Sequence, residues 1–276
     1  MTLSDQQKDD LIEVVRGVGR REIMPHFRKL ASSSVGTKTD AKDLVTDADR
    51  AAEKAIAAGV ANILPNAVVV GEEAAAEQPN SLDAIATSDI CVIVDPIDGT
   101  GNFVAGLAVF GTILAVVVNR ETVFGVLYDP VLDDWIYAAR GEGAKFASAT
   151  AAPTQMKVRR SRQLGSAKGF IPLDNYPATE RADLMRRYDP VFQVQDIRCS
   201  CHEYRLLASG QADFLKSYSL NPWDHAAGLL VLQEAGGWAK VDGVKPYAPT
   251  LRDGSVIAAS CEVVGQAVAA LSGTLS

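Results

Sequence analysis

Residues 92–103 read Val92-Ile93-Val94-Asp95-Pro96-Ile97-Asp98-Gly99-Thr100-Gly101-Asn102-Phe103, and this stretch decides the fold. The run over 90–94 is continuously apolar rather than alternating, the pattern of a strand buried on both faces. It ends directly in two carboxylates, followed by a Gly-Thr-Gly that exposes backbone N–H groups. Open α/β sheets place ligands beyond the carboxyl ends of their strands. Adjacent carboxylates repel unless a cation lies between them, and hard divalent metals take oxygen ligands. Amides at a turn or helix start suit a phosphate. The same letters also spell an ordinary Asp-Pro turn with a second turn Asp before Gly, so the reading needs support from elsewhere in the chain.

Upstream, the β-branched run 67–70 stops at Gly71-Glu72-Glu73, which repeats the geometry of a strand leading into carboxylates. Before it, Thr46-Asp47-Ala48-Asp49 reads as a helix cap for an Ala-rich helix ending near Leu64-Pro65. Ser4-Asp5-Gln6-Gln7 fits a capping box, with Leu11, Ile12, Val15 and Val18 at helical spacing behind it. Downstream, residues 109–145 predict strand after strand separated only by turn residues, hence antiparallel hairpins. The second half alternates, with helices expected at 178–188, 202–209, 222–235 and 261–272. Strands are expected near 168–171, 191–197, 212–216 and 255–260. Asn221 is placed as N-cap and Pro222 as first residue of the clearest helix, which Gly236-Gly237 closes. Trp223-Asp224 then puts a third carboxylate group in a helix's first turn, where the bland role is to complement the helix dipole. Strands and hairpins first, alternation later, point to a two-part α/β architecture divided as 1–150 and 151–276.

The 276 residues carry 47% hydrophobic and 22% charged side chains, which excludes disorder as the dominant state. A net charge of −7 argues against a nucleic-acid clamp, but not against a small anionic substrate at a local positive or metal-filled site. The longest strongly apolar stretch, 109–118, is short of the roughly 20 residues of a spanning helix. The start MTLSDQQKDD is unlike a signal peptide, and four cysteines make no disulfide framework. A cytoplasmic setting without a membrane or nucleic-acid partner is expected.

Taken together, GEE at 71–73, DPIDGTGNF at 95–103 and NPWDHAAGLLVLQEAGG at 221–237, with KTDAKDLVTDADRAAEK from Lys38, resemble the inositol monophosphatase family of lithium-sensitive, magnesium-dependent phosphatases. The resemblance implies a layered αβαβα sandwich of the inositol monophosphatase/fructose-1,6-bisphosphatase type and a homodimer. It also implies two or three Mg²⁺ ions between the halves. Glu72, Asp95 and the Ile97 carbonyl would hold one ion, Asp95, Asp98 and Asp224 a second, and Glu72 a weaker third. Thr100, hydrogen-bonded to Asp49, would orient the attacking water with Glu72, and the Gly99, Thr100 and Gly101 amides would cradle the phosphate. The expected substrate is a small phosphorylated metabolite, inositol 1-phosphate first. Histidinol phosphate, fructose 1,6-bisphosphate and 3′-phosphoadenosine 5′-phosphate are the alternatives. Two departures stand out: Gly101 replaces a second Thr common in the family, and the substrate-side Glu falls on Ser217. Ser200, Ser217 and Asn221 are candidates for the substrate pocket, and Lys38 matches a family lysine near the metals.

Other readings fit less well. Cys199 to Arg205 has Cys-x5-Arg spacing, but it lacks the glycines and preceding His of a cysteine phosphatase and reads as a helix entry. Cys199-x-Cys201-His202 has no second ligand pair for zinc. Neither Gly99-x-Gly101 nor Gly141-x-Gly143 continues into a dinucleotide fingerprint, because Val104 and Phe146 take the third glycine position. His202 and His225 read as packing or capping residues. A non-catalytic protein that acts through partners in transcription is the remaining alternative.

Overall fold

The computed structural model describes residues 2–30, 35–37, 44–159 and 163–273; Lys38 lies outside them. Helix α1 (Asp5–Val18) starts at the expected capping box: Gln7 N–H donates to Ser4 Oγ and Ser4 N–H to Gln7 Oε1. After β1 (Val35–Thr37) and β2 (Leu44–Thr46), helix α2 (Asp47–Ile63) begins where the Thr46 N–H and hydroxyl both donate to Asp49 Oδ2. There follow β3 (Val68–Gly71), α3 (Glu72–Glu77), α4 (Ala84–Thr87), β4 (Ile90–Asp98) and α5 (Thr100–Ala105). The hairpin run is β5 (Gly111–Val118), β6 (Glu121–Asp129), β7 (Asp134–Ala139), β8 (Ala144–Ser148) and β9 (Ala151–Gln155). The second half contains β10 (Lys168–Phe170), α6 (Ala178–Arg187), β11 (Gln193–Gln195), α7 (Ser200–Ala208), β12 (Phe214–Lys216), α8 (Pro222–Glu234), β13 (Trp238–Val241), β14 (Val256–Ala259) and α9 (Glu262–Ser272).

Two sheets stack with helices outside and between them. The larger has order β3-β4-β5-β6-β7-β8-β9, with β3 and β4 parallel and every later pair antiparallel. The smaller has order β11-β10-β12-β14-β13. Side chains on the larger sheet alternate as a pleat requires. Val92, Val94, Leu114 and Val116 pack under α1 and α2 with Leu11, Val15, Ile56 and Val60. Cys91, Ile93, Ile113 and Ala115 face the middle layer, where Tyr204, Leu207, Leu229 and Val231 of α7 and α8 pack with Leu215 and Ala258 of the smaller sheet. Beyond that sheet, Phe214 and Ile257 meet Leu184 and Val268 of the outer helices. The layering is αβαβα. The middle core draws on both halves of the chain, and β9 carries the larger sheet past residue 150. Among the described residues no helix is long and apolar enough to cross a membrane.

The run 90–94 is a central strand buried on both faces, as its pattern predicts, but the strand continues through Pro96 to Asp98. Elsewhere the structure adds elements that no sequence pattern announces, namely α3, α4 and the strand at residues 238–241, which has no period-2 signal. The Gly-Thr-Gly segment opens a short helix, one of the settings in which its amides suit a phosphate.

Candidate active site

Along β4 the partners are Asp95 opposite Ile113 and Asp98 opposite Gly111, so three steps on β4 match two on β5. That is a β-bulge, placed where Pro96 has no N–H to give the ladder. Its freed carbonyl accepts the Thr112 hydroxyl at 2.8 Å. In a regular strand, residues three apart point to opposite faces; the extra residue turns Asp98 to the side of Asp95. Asp224, third residue of α8, completes the group. One carboxylate oxygen from each of Asp95, Asp98 and Asp224 lies within 4.8 Å of the others.

The cluster is desolvated. Asp95 is 2% exposed, and its Oδ1 is buried without a hydrogen-bond partner. Burial, then the charges of Glu72, Asp98 and Asp224, drives the Asp95 carboxyl far above the usual carboxylate range. Asp98 is pushed up to about 6 by burial, against the N–H groups of Cys201 and Ser200 and the Cys199 thiol, which favour its anion. A buried polar atom is ordinarily paired, so an orphaned oxygen among repelling carboxylates is the signature of a cation site. Hard oxygen donors at this spacing fit a divalent ion such as Mg²⁺.

Four helices aim their N-termini here, with Glu72 and Thr100 as the first residues of α3 and α5, Ser200 opening α7 and Asp224 in the first turn of α8. Their partial positive ends favour anions. Glu53 of α2 fixes the start of α3 by accepting the Glu73 and Ala74 N–H groups at 2.9 and 3.0 Å. The Thr100 hydroxyl lies 2.9 Å from the Ile97 carbonyl and 3.3 Å from Asp49 Oδ1. Gly99 has φ +86, and a Cβ there would sit 2.9 Å from the Val109 carbonyl, so only glycine makes this turn.

These groups border a cleft of about 250 Å³ whose wall includes Glu72, Asp98, Gly99, Thr100, Gly101, Ser200, Ser217 and Asp224. The structure separates the three substrate-pocket candidates. Ser200 lines the cleft. Ser217 also lines it, but its hydroxyl donates to the Ser219 carbonyl and accepts the Val256 N–H, both at 2.8 Å. Asn221 neither borders the cleft nor caps α8 with its side chain; its Nδ2 donates to Asp224 Oδ2 at 3.1 Å, holding the carboxylate. His225 is buried and doubly bonded, Nε2 donating to the Ser219 carbonyl and Nδ1 accepting from Tyr204.

Arg198 was not singled out from the sequence. It borders the cleft, and an ideal Cβ on Gly101 would lie 3.4 Å from its Nη2. At that distance a Cβ would be in ordinary contact, so the guanidinium lies directly beside the Gly-Thr-Gly segment. Asp174, Asp196 and Glu203 line the rest of the cleft. The paired positions of Arg198 and Gly101, in elements far apart in the chain, left no local signal. The Cys-x5-Arg reading fails on environment. Burial raises both the Cys199 and Cys201 thiols, and Arg205 points away to Asp134 and the Leu127 carbonyl. Among the described residues the aspartate triad is the metal-ligand cluster found.

A family model described as "Inositol monophosphatase family" matches residues 7–274. A Thermotoga maritima protein named fructose-1,6-bisphosphatase/inositol-1-monophosphatase is 31% identical over 233 residues, 83% of this chain and 82% of that one. The Nus factor SuhB of Haemophilus influenzae is 32% identical over 236 residues, with 83% and 82% covered. Among solved structures, a Thermotoga maritima IMPase superposes with TM-score 0.79 at 27% identity, covering 95% of this chain and 94% of that one. The extragenic suppressor protein suhB of Bartonella henselae gives 0.82 at 24% identity, covering 97% and 98%.

Proposed function

The chain belongs to the inositol monophosphatase family, a metal-dependent phosphoric monoester hydrolase by fold and acidic triad, and on that premise we propose that it acts on a small polyol phosphate, inositol 1-phosphate first. The observation that carries the chemistry is the buried aspartate triad with its unpartnered Asp95 oxygen. In this reading Glu72, Asp95 and the Ile97 carbonyl would hold one Mg²⁺, Asp95, Asp98 and Asp224 would hold another, and Glu72 would serve a weaker third. When bound, the ions supply charge neutralisation at the phosphate, a more acidic attacking water and support for the leaving oxygen.

The chain's own residues do the positioning. With the Ile97 carbonyl committed to a cation, the Thr100 proton is left to Asp49, 3.3 Å away. The Thr100 oxygen is then an acceptor facing the cleft, and with Glu72 it aligns the water. The Gly99, Thr100 and Gly101 amides hold phosphate oxygens, and the Arg198 guanidinium beside Gly101 adds a positive charge to that cradle. Asp174, Asp196 and Glu203 provide acceptors for the hydroxyls of a polyol, which supports that substrate class despite Ser217.

The test is phosphate release with Mg²⁺ from inositol 1-phosphate, histidinol phosphate, fructose 1,6-bisphosphate and 3′-phosphoadenosine 5′-phosphate, each repeated with EDTA and with lithium. The expected result is chelator-sensitive, lithium-inhibited turnover with the highest kcat/KM on inositol 1-phosphate. The double name of the Thermotoga maritima relative makes fructose 1,6-bisphosphate the first competitor. The Nus-factor name of the Haemophilus relative supports a second reading, a partner role in transcription. Folded protein silent on all four esters would favour that second reading. We propose a homodimer on the same family premise, and light scattering tests it.

A further inference from the structure

Behind the smaller sheet, between α6 and the end of α9, lies a second cavity of about 240 Å³ that the hydrolytic chemistry does not use. Lys216, last residue of β12, forms its floor. Its neighbour Leu215 faces the middle core and Phe214 the outer one, so alternation sends the Lys216 side chain outward, although the residue also borders the catalytic cleft. The residue is 4% exposed, and no carboxylate among the described residues lies within 4.0 Å of its Nζ. An ammonium has three donors. One goes to the Tyr176 hydroxyl at 2.5 Å, and a second reaches the Ser217 carbonyl only at 3.5 Å. The Tyr176 hydroxyl accepts that bond and gives its own proton to no other described residue, although Tyr176 is 2% exposed. The floor of the cavity is thus rich in donors and short of acceptors, where buried polar groups are normally satisfied. Burial pulls the Lys216 amine down to about 8, against the charge of Asp242, which favours the ammonium.

We propose that this cavity is a binding site for a small monocarboxylate with an apolar body, its carboxylate on Lys216 Nζ and Tyr176 Oη. A carboxylate head follows from the donors: Asp183 already pairs with Arg187 at 2.6 Å, whereas Lys216 Nζ has no carboxylate of the described residues within 4.0 Å. The apolar body follows from Leu184 and the Tyr176 ring, and the volume admits a group of benzoate size rather than a nucleotide. Lys216 and Ser217 both border the catalytic cleft, so an occupant would sit directly behind the substrate side.

The probe is 4-fluorobenzoate, followed by ¹⁹F NMR on the full chain with Mg²⁺ and inorganic phosphate present to fill the catalytic cleft. The proposal expects saturable binding, at least tenfold weaker in Lys216→Met, a change that keeps the side chain's length and removes its charge. Tyr176→Phe should weaken it by a smaller factor, and neutral 4-fluorobenzamide should bind at least tenfold more weakly to the unmodified protein. Absence of saturable binding to the unmodified protein would overturn the proposal. So would equal binding by Lys216→Met that melts cooperatively, or displacement of the probe by Mg²⁺ with phosphate. If Lys216→Met does not fold, the Tyr176→Phe and benzamide comparisons decide: unchanged affinity in both sinks the site.

Discussion

The Asp98 carboxylate, at the end of a strand in the larger sheet, accepts the backbone N–H of Cys201 in the first turn of α7. A proposed metal ligand from one half of the chain is therefore held by a helix of the other. One of its carboxylate oxygens lies within 4.8 Å of oxygens of Asp95 and Asp224. Cleft geometry and the packing of the two halves are one arrangement, and the predictions below start from it.

Asp95→Asn and Asp98→Asn should each lower Mg²⁺-dependent phosphate release by a factor on the order of 10³, since charge neutralisation dominates this chemistry. Both should fold. Without metal, each removes a buried like-charge repulsion and should raise Tm, with about 2–4 °C per kcal/mol as the scale for a chain near this size. Steady-state kinetics and apo melting check the two halves of the claim. Wild-type turnover in both variants would remove these residues from the site.

Stability of the metal-free protein should carry the Asp98 shift with a definite sign. Its pKa rises from 3.8 to about 6 on folding, so the folded state binds the proton more tightly. That contribution is fully present below about 3.8 and is lost as pH climbs to about 6. The Tm difference between Asp98→Asn and wild type should accordingly be small near pH 4 and grow in the variant's favour to a plateau above pH 6. Saturating Mg²⁺ should reverse it at pH 7.

Thr100→Val removes the hydroxyl and should reduce kcat by about 10²–10³, the usual scale for a positioned proton-transfer or water-orienting group. Thr100→Ser should retain most activity. Because Thr100 and Asp49 act as a pair, Asp49→Asn in the Thr100→Val background should cost far less than it does alone. Additive losses in that double-mutant cycle would separate the two residues.

Arg198→Ala should reduce kcat/KM by about tenfold, a partly exposed charge-assisted contact to phosphate. Gly101→Thr, which restores the residue more common in the family, should displace the guanidinium and produce a similar loss. The double variant should be no worse than either. A fully active Arg198→Ala would mean that Arg198 does not serve the phosphate.

Ser217→Ala should cost about 1 kcal/mol of stability by opening the Ser219 and Val256 hydrogen bonds. KM should change less than twofold. A large rise in KM with unchanged Tm would return Ser217 to the substrate.

Much of this architecture was legible in local patterns. The cap at Ser4, the doubly buried run before Asp95 and the Asn-Pro start of α8 depend on neighbours within a few residues, and short-range physics governs them. Asn221 stands at the N-cap as its position predicts, but its Nδ2 donates to the Asp224 carboxylate three residues on and its side chain takes no helix N–H. The match of Arg198 to Gly101 and the donor-rich cavity at Lys216 depend on elements brought together only by tertiary packing. No window of sequence contains both partners. The separation of Asp95 and Asp98 was read as spacing alone, whereas what unites them is a slip in the ladder.

That slip means the cluster is written partly in chain length. Adding one residue to β5 between Gly111 and Ile113 would let three steps on β4 match three on β5, and Asp98 would swing to the face opposite Asp95. Every acidic side chain would remain, yet the triad would be gone. For this protein a one-residue insertion is a different kind of lesion from a substitution: it leaves the inventory of functional groups complete and destroys their address.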